Sequence, residues 1–397
     1  MDEQKVSAEA DKYIFQTYGR ANAITLIRGD GCRLWDDNGR EYLDFVSGLA
    51  VCSLGHSSPL VIKVLEEQSK KLVHVSNLYY TKPQADLARI LIENSFADKV
   101  FFCNSGAEAN EAAIKLVRRY SNEKSDNKKN TIISMNNSFH GRTMATLSAT
   151  GQEKVRTGFS PLVQGFEFVD FNNLEMLEQA IDDTVCAVML EPIQGEGGVV
   201  CPDKYYLKGV RKICDDNDLM LIFDEVQVGT GRTGKLFAYE NFGVTPDIMT
   251  IAKALGNGLP IGAMLSTDNI ASAFCPGTHA TTFGGTPLVS AVAAAVVTSM
   301  LEDGILENCR EMGEYFRAGL NELKDKYSCI KEVRGYGLII GMELDQPGAP
   351  VVTECQERGF LINCAQEKIL RFIPPLVIGK NEIDFLLETL NDILGRM

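Results

Sequence analysis

Lys253 is the first residue whose surroundings suggest chemistry. It follows the apolar run Ile248–Ile251 in DIMTIAKALGNGLPIG and precedes Ala-Leu and a Gly-rich turn. Burial there disfavours the ammonium and lowers its pKa, which frees an amine able to form Schiff bases. The bland alternative is a solvated surface charge. Asp224 ends a second apolar run, LMLIFDEV. A carboxylate in that position needs a cation or several donors. A structural ion pair meets that need, and so does the ring nitrogen of a pyridine cofactor whose aldehyde is held by the lysine. Ser105 and Glu108 have the S-x-x-E spacing of a capping box at the head of AEANEAAIKLVRRY. With Gly106 in the first turn, the same helix start offers free N–H groups and a positive dipole end to a phosphate. The two readings are compatible, because a capping hydroxyl can be shared with an anion.

Two arginines join this set. Arg142 lies in NSFHGRT and Arg371 in ILRFIPPL, and Glu196 in EPIQGEGG is a candidate internal partner for one of them. Each arginine is either half of a core ion pair or a fork for a carboxylate. Two forks far apart in the chain would suit a substrate with two carboxylates. A further motif competes for attention. Gly229-Thr-Gly231-Arg-Thr-Gly234 matches the dinucleotide fingerprint, but KLFAYENFGVTPD behind it carries no clean helix and no acid follows the next apolar run. It reads as a flexible Gly-rich loop beside the site, and an oxidoreductase is disfavoured.

The elements that must position these residues are legible as periodicity. A hairpin is expected at Arg33-Leu34-Trp35, Asp37-Asn38-Gly39 and Glu41–Phe45, then helices over Leu60–Leu72 and Pro83–Asn94. Short apolar runs follow at Val100–Cys103, Thr131–Met135, Val185–Leu190, Leu219–Phe223, Ile248–Ile251 and Gly262–Leu265, alternating with helical segments. This implies an α/β fold with a mostly parallel sheet covered on both faces. In such folds ligands gather at the carboxyl ends of the strands. Asn104-Ser105-Gly106, Glu191, Asp224-Glu225 and Lys253 all fall at such ends. A buried helix is expected near Leu288–Met300 and one long helical pattern from Thr298 to Lys326. Strands at Gly337–Glu343, Phe360–Asn363 and Ile369–Phe372 close the chain. The expected division is an N-terminal segment 1–59, a large unit 60–297 and a smaller α+β unit 298–397.

Composition removes other classes. Of 397 residues 39 are Lys or Arg and 53 Asp or Glu, a net charge of −14 with no basic block, which argues against nucleic acid and anionic membrane. Eleven cysteines without a C-x-x-C pair, and four scattered histidines, suggest neither a disulfide framework nor a metal site. The opening MDEQKVSAEADKY is acidic and lacks an apolar h-region, so a cytoplasmic protein is expected.

Taken together, these motifs resemble the class III (ornithine-type) pyridoxal-phosphate aminotransferases, of the aspartate-aminotransferase fold. The likeness runs from about Tyr18 to Leu394 and rests on NLYY (77–80), NSGAEANEAAIK (104–115), NSFHGRT (137–143), EPIQGEGG (191–198), FDEVQVGTGRTGKLFAYE (223–240), TIAKALGNGLPIGA (250–263), THATTFGG (278–285) and RFIPPL (371–376). The resemblance implies pyridoxal 5′-phosphate held covalently by Lys253, with Asp224 at the pyridine nitrogen. It implies Val226 and Phe139 sandwiching the ring, Gln227 at the phenolic oxygen, and Ser105, Gly106 and Ala107 around the phosphate. Thr282 would reach the phosphate of a neighbouring subunit, making a homodimer the smallest active unit. Arg142 would hold the carboxylate far from the reacting amine. Arg371 would take the α-carboxylate of glutamate or 2-oxoglutarate, and would pair with Glu196 when an ω-amino donor is bound. Within the class the motifs lie nearest the acetylornithine branch, which implies transfer from N2-acetyl-L-ornithine to 2-oxoglutarate in arginine biosynthesis. Sister branches act on succinylornithine, ornithine, 4-aminobutyrate or succinyl-diaminopimelate. Cys52 and Asn257 depart from residues common in the family, and Cys52 is expected near the donor's path.

Overall fold

A computed structural model describes residues 3–19, 24–125 and 128–397. Its centre is a seven-stranded sheet in the order Lys99–Cys103, Gly262–Ser266, Ile248–Ile251, Met220–Asp224, Val185–Leu190, Thr131–Met135, Phe166–Val169. Only Gly262–Ser266 runs antiparallel to its neighbours; the remaining pairs are parallel. The five inner strands are buried at every residue. Burial on both faces is why each reads as a near-continuous apolar run rather than an alternation.

Helices supply the cover. Gly106–Ser125 lays Ala112, Ala113 and Leu116 against Ile132, Ile248 and Met264 on one face. On the other, Tyr206–Asp216 packs Leu207, Val210 and Ile213 against Val188, Leu221 and Phe223. Small alanines let the first of these helices approach the strands closely, and it is this helix whose start meets the strand ends.

Two smaller sheets flank the large one. Leu26–Asp30, Arg33–Asp36 and Glu41–Asp44 form a meander, to which Phe360–Leu361 adds a parallel fourth strand. Ile330–Tyr336, Ile339–Leu344, Ile369–Phe372 and Asn363–Ala365 form an antiparallel sheet. The long helical pattern expected from Thr298 onward is broken in two. Pro287–Glu302 ends at Asp303, Gly304 turns left-handed at φ 74°, and Ile305–Lys326 begins, the two helices crossing at 63°. Glycine adopts that backbone at no steric cost, and the apolar spacing on either side of it hid the stop. No single helix among the described residues is long and apolar enough to cross a membrane.

Candidate active site

At the carboxyl ends of the parallel strands lies a cavity of about 460 Å³. Ser105, Gly106, Ala107, Phe139, Arg142, Glu196, Asp224, Val226, Gln227 and Lys253 all line it. Arg371 does not; it is 2% exposed and stands directly behind Glu196 and Gln227. Thr282 is exposed and away from the cavity wall. Its neighbour Thr281 is tied to the strand end, accepting from Asn104 Nδ2 at 3.2 Å, while Asn77 Nδ2 donates to the carbonyls of Thr281 and Gly284.

Lys253 follows its strand in a left-handed conformation, φ 46°, uncommon for a side-chain-bearing residue and a form of strain often found at functional sites. It is half-buried, its open side towards the cavity. Desolvation lowers its pKa, partly opposed by Glu196 and reinforced by Arg371. An amine held in that way is available as a nucleophile or base nearer neutrality than a surface lysine.

Asp224, 3% exposed, is held from three sides. Asn110 Nδ2 and His140 Nδ1 each donate to Oδ2 at 2.7 Å, and the Val226 amide donates to Oδ1 at 3.0 Å. Thr250 Oγ1 donates to Asn110 Oδ1 at 2.7 Å, which sets the direction of that amide. His140 therefore carries its proton on Nδ1, and its buried Nε2 has no partner. Asn110 and His140 were not singled out in the sequence. Asn110 sits one turn beyond the capping motif and His140 between Phe139 and Arg142, so position beside marked residues was the available signal.

Glu191 accepts from the amides of Phe139 at 3.0 Å and Gly195 at 3.1 Å. Burial pushes its carboxyl up to about 7. Its neighbour in kind, Glu225, does not belong to the site. Successive residues at a strand end point to opposite faces, so Glu225 turns from the cavity and accepts from the amides of Ala238 at 2.5 Å and Tyr239 at 2.7 Å.

The capping motif differs in one detail from its expected form. Ser105 Oγ accepts from the Glu108 amide at 3.2 Å, but Glu108 reaches one residue further back, to the amide of Asn104 at 2.7 Å and its side chain at 2.8 Å. The cap thus takes up the Glu108 amide, and the first two helical residues, Gly106 and Ala107, line the cavity. A Cβ on Gly106 would lie 2.6 Å from Val226 Cγ1, so only glycine lets helix and strand end meet here.

The two arginines expected to act as carboxylate forks are unlike. Arg142 is exposed, its guanidinium 5.5 Å over the Phe139 ring. Arg371 is closed by Glu196: Nη1 donates to Glu196 Oε1 at 2.7 Å and to Gln227 Oε1 at 3.2 Å, and Gln227 Nε2 donates to Glu196 Oε1 at 3.1 Å. Burial works to raise the Glu196 pKa, but the guanidinium outweighs it and the carboxyl lies below its ordinary value. The Gly-rich stretch 229–234 is not the flexible loop expected beside the site. Gly229 to Gly234 are buried and off the cavity wall, because Arg232 runs through the core and donates to the Leu338 carbonyl at 3.0 Å and to that of Pro374. Cys52 also lies off the wall, although its neighbour Val51 lines the cavity. Asn257, left-handed at φ 43°, accepts from the Leu54 amide at 2.7 Å and donates to the Gly55 carbonyl at 3.2 Å, fixing this segment to the lysine loop.

Comparison with known proteins gives this geometry a family. Residues 15–394 match the aminotransferase class-III family. The chain belongs to the class-III aminotransferases. It is 51% identical to the acetylornithine aminotransferase of Caldanaerobacter subterraneus subsp. tengcongensis, covering 97% of this chain and 98% of that protein. It is 49% identical to that of Methanocaldococcus jannaschii, over 96% of each. A crystal structure of the Toxoplasma gondii ornithine aminotransferase, with PLP partly occupying its active site, superposes with a TM-score of 0.95 at 34% identity, covering 100% of this chain and 96% of that one. Pyridoxal 5′-phosphate is the cofactor of class-III aminotransferases, and the residues here fit it. The helix start at Gly106 can take the phosphate, Phe139 and Val226 can flank a flat ring, and Asp224 and Lys253, on the wall of the same cavity, offer a carboxylate to a ring nitrogen and an amine to an aldehyde.

Proposed function

We propose that this class-III aminotransferase transfers the terminal amine of N2-acetyl-L-ornithine to 2-oxoglutarate, giving N-acetyl-L-glutamate 5-semialdehyde and L-glutamate, a step of arginine biosynthesis. One observation carries the reading: the carboxylate fork Arg371 is closed by its own carboxylate, Glu196, at 2.7 Å beside the cavity that holds Lys253. An ω-amino donor has no charge next to its reacting carbon, so the closed pair presents it with a neutral wall. Glutamate and 2-oxoglutarate carry a carboxylate there and would take the place of Glu196. The choice of donor rests on the relatives named acetylornithine aminotransferase.

When bound, pyridoxal phosphate supplies an electron sink for negative charge on the carbon that bears the amine. The chain's own residues do the rest. Lys253 would hold the cofactor until the donor's amine takes its place, and its Nζ, freed by that exchange, would move the proton taken from the donor's δ-carbon. Asp224, fixed by Asn110 and His140, pairs with the ring nitrogen. Ser105, Gly106 and Ala107 hold the phosphate, and Val226 and Phe139 flank the ring. Gln227 has one amide hydrogen engaged with Glu196 and a second to offer the phenolic oxygen. Arg142 binds the distal carboxylate in both half-reactions. Thr282, exposed on its loop, serves the phosphate of a second copy, so the working unit is a cytoplasmic homodimer. In this reading 60–297 is the cofactor-binding unit and 298–397 a smaller α+β unit, with the N-terminal segment 1–59 packing against the latter through the pairing of Leu43–Asp44 with Phe360–Leu361.

Holoenzyme mixed with N-acetylornithine and no acceptor tests the reading, beside parallel samples of ornithine, 4-aminobutyrate and succinyl-diaminopimelate. The fastest loss of the bound cofactor's visible absorption is expected with N-acetylornithine. A faster response to another amine would move the enzyme to a sister activity, and a holoenzyme without that band would remove Lys253 from its role.

A further inference from the structure

We propose that Asn363 is the positioning residue that sets how Arg371 meets a substrate carboxylate, and that it works because it is an uncharged acceptor. This rests on the reading of Arg371 as the carboxylate fork and adds what holds the fork. Register comes first. Asn363–Ala365 pairs antiparallel with Ile369–Phe372, and Asn363 is directly opposite Arg371. On the other flank the residue opposite is Gly341, where a Cβ would lie 3.0 Å from that of Val199. Directly opposed residues project from the same face of a sheet, so Asn363 supplies the one cross-strand side chain beside the arginine.

Its Oδ1 accepts from Arg371 Nε at 3.2 Å. A bond at Nε fixes the plane of the guanidinium and leaves the forked end for other partners. That end meets Glu196 and Gln227. The turn joining the two strands adds a second hold. Gln366 and Glu367 are left-handed, at φ 47° and 65°, and Gln366 Nε2 donates to the backbone carbonyl of Glu196 at 3.0 Å. One hairpin thus grips the arginine by its side chain and the glutamate by its main chain, leaving the bonds of the glutamate carboxylate as the contacts that have to open.

Neutrality decides the rest. When a substrate carboxylate replaces Glu196, the guanidinium must keep both its orientation and its charge. An amide oxygen fixes the orientation and leaves the charge uncompensated. A carboxylate at position 363 would fix the orientation equally well but compete with the substrate for the charge.

The test uses holoenzyme of wild type, Asn363→Ala and Asn363→Asp in two single-turnover half-reactions, one with glutamate and one with N-acetylornithine. Asn363→Ala is expected to lower kcat/KM for glutamate about tenfold, the worth of a hydrogen bond to a charged group, and to change the N-acetylornithine value less than about twofold. Asn363→Asp, nearly isosteric and able to restore the bond, is expected to lower the glutamate value at least as much. Equal losses in both half-reactions would overturn the proposal, since a merely structural residue moves both. An Asp variant that uses glutamate as wild type does would overturn it too. Should wild type ignore N-acetylornithine and respond to another ω-amine, the donor assignment fails, and the same split is read against that amine.

Discussion

Arg232 and Arg371 are the two largest fully buried side chains among the described residues, and they are satisfied in opposite ways. Arg371 is met by a carboxylate and two side-chain amides, all on side chains that can rotate. Arg232 is met by the main-chain carbonyls of Leu338 and Pro374 and by the hydroxyls of Ser47 and Ser53, its Nε having no partner. Burial lowers the Arg232 pKa to about 10. A cation held by carbonyls joins the segments that carry them and cannot be traded for a ligand. A cation held by a movable acid can exchange that acid for a substrate. Arg232 belongs to the frame; Arg371 stands behind two residues of the cavity wall and, in the proposed function, belongs to the site.

That contrast can be broken or sharpened experimentally. The largest effect is expected at the lysine itself: Lys253→Ala should fold and yet lose transamination by about three orders of magnitude or more, measured as steady-state turnover. Substantial residual activity would detach the forks from the lysine. Next is Arg232→Ala, which leaves buried carbonyls unpaired and a void; urea unfolding should show a loss of about 3–5 kcal/mol, with the ratio of glutamate to donor rates unchanged in the folded fraction. A shifted ratio would place Arg232 in the site after all.

A smaller effect concerns pH. Glu191 and Glu225 have carboxyls raised to about 7 and about 8. Between the ordinary carboxylate range and those values the unfolded chain binds fewer protons at these positions, so their contribution to stability is present at low pH and is lost as pH rises. Glu191→Gln should therefore gain on wild type by about 2 kcal/mol between pH 5 and 8, read from unfolding curves at both ends. A difference that stays flat would contradict the raised carboxyl. The smallest effect is expected from Glu196→Ala, which leaves Arg371 open. The preference between the ω-amino donor and glutamate should move about tenfold towards glutamate, measured by paired half-reactions, and an unmoved preference would end the distinction drawn above.

Much of the frame could be read in advance because the inner strands are buried on both faces and cannot avoid being apolar. The single strand expected over Phe360–Asn363 divides into Phe360–Leu361 and Asn363–Ala365, in different sheets, and three strands escaped that signal altogether. Phe166–Val169 is an edge strand with Glu167 exposed, Leu26–Asp30 is mostly exposed, and Ile330–Tyr336 carries Lys331, Glu332 and Arg334. In the site, residues at strand ends were legible because a charge after an apolar run is costly wherever it occurs. Asn110 and His140 were not, because they reach Asp224 across 114 and 84 residues, and neither type is unusual in its own stretch. Glu225 misled for the complementary reason: a strand end was visible, but not which of two adjacent acids would face the ligand. Asn363 needed register, which follows from how the hairpin turns and leaves no trace in composition.

The parallel pairing of Phe360–Leu361 with Glu41–Asp44 has a consequence for biosynthesis. The meander emerges from the ribosome early, but its fourth strand is made more than three hundred residues later. At roughly 5–20 residues per second that is a wait on the order of tens of seconds. By then the strands of the large sheet, all of which precede residue 267, have been translated. The cradle around Ser105 and Lys253 can therefore form while the opening segment still lacks the strand that seats it. Val51, on the cavity wall, is carried by that segment, so the rim on its side is among the last parts of the nascent chain to settle.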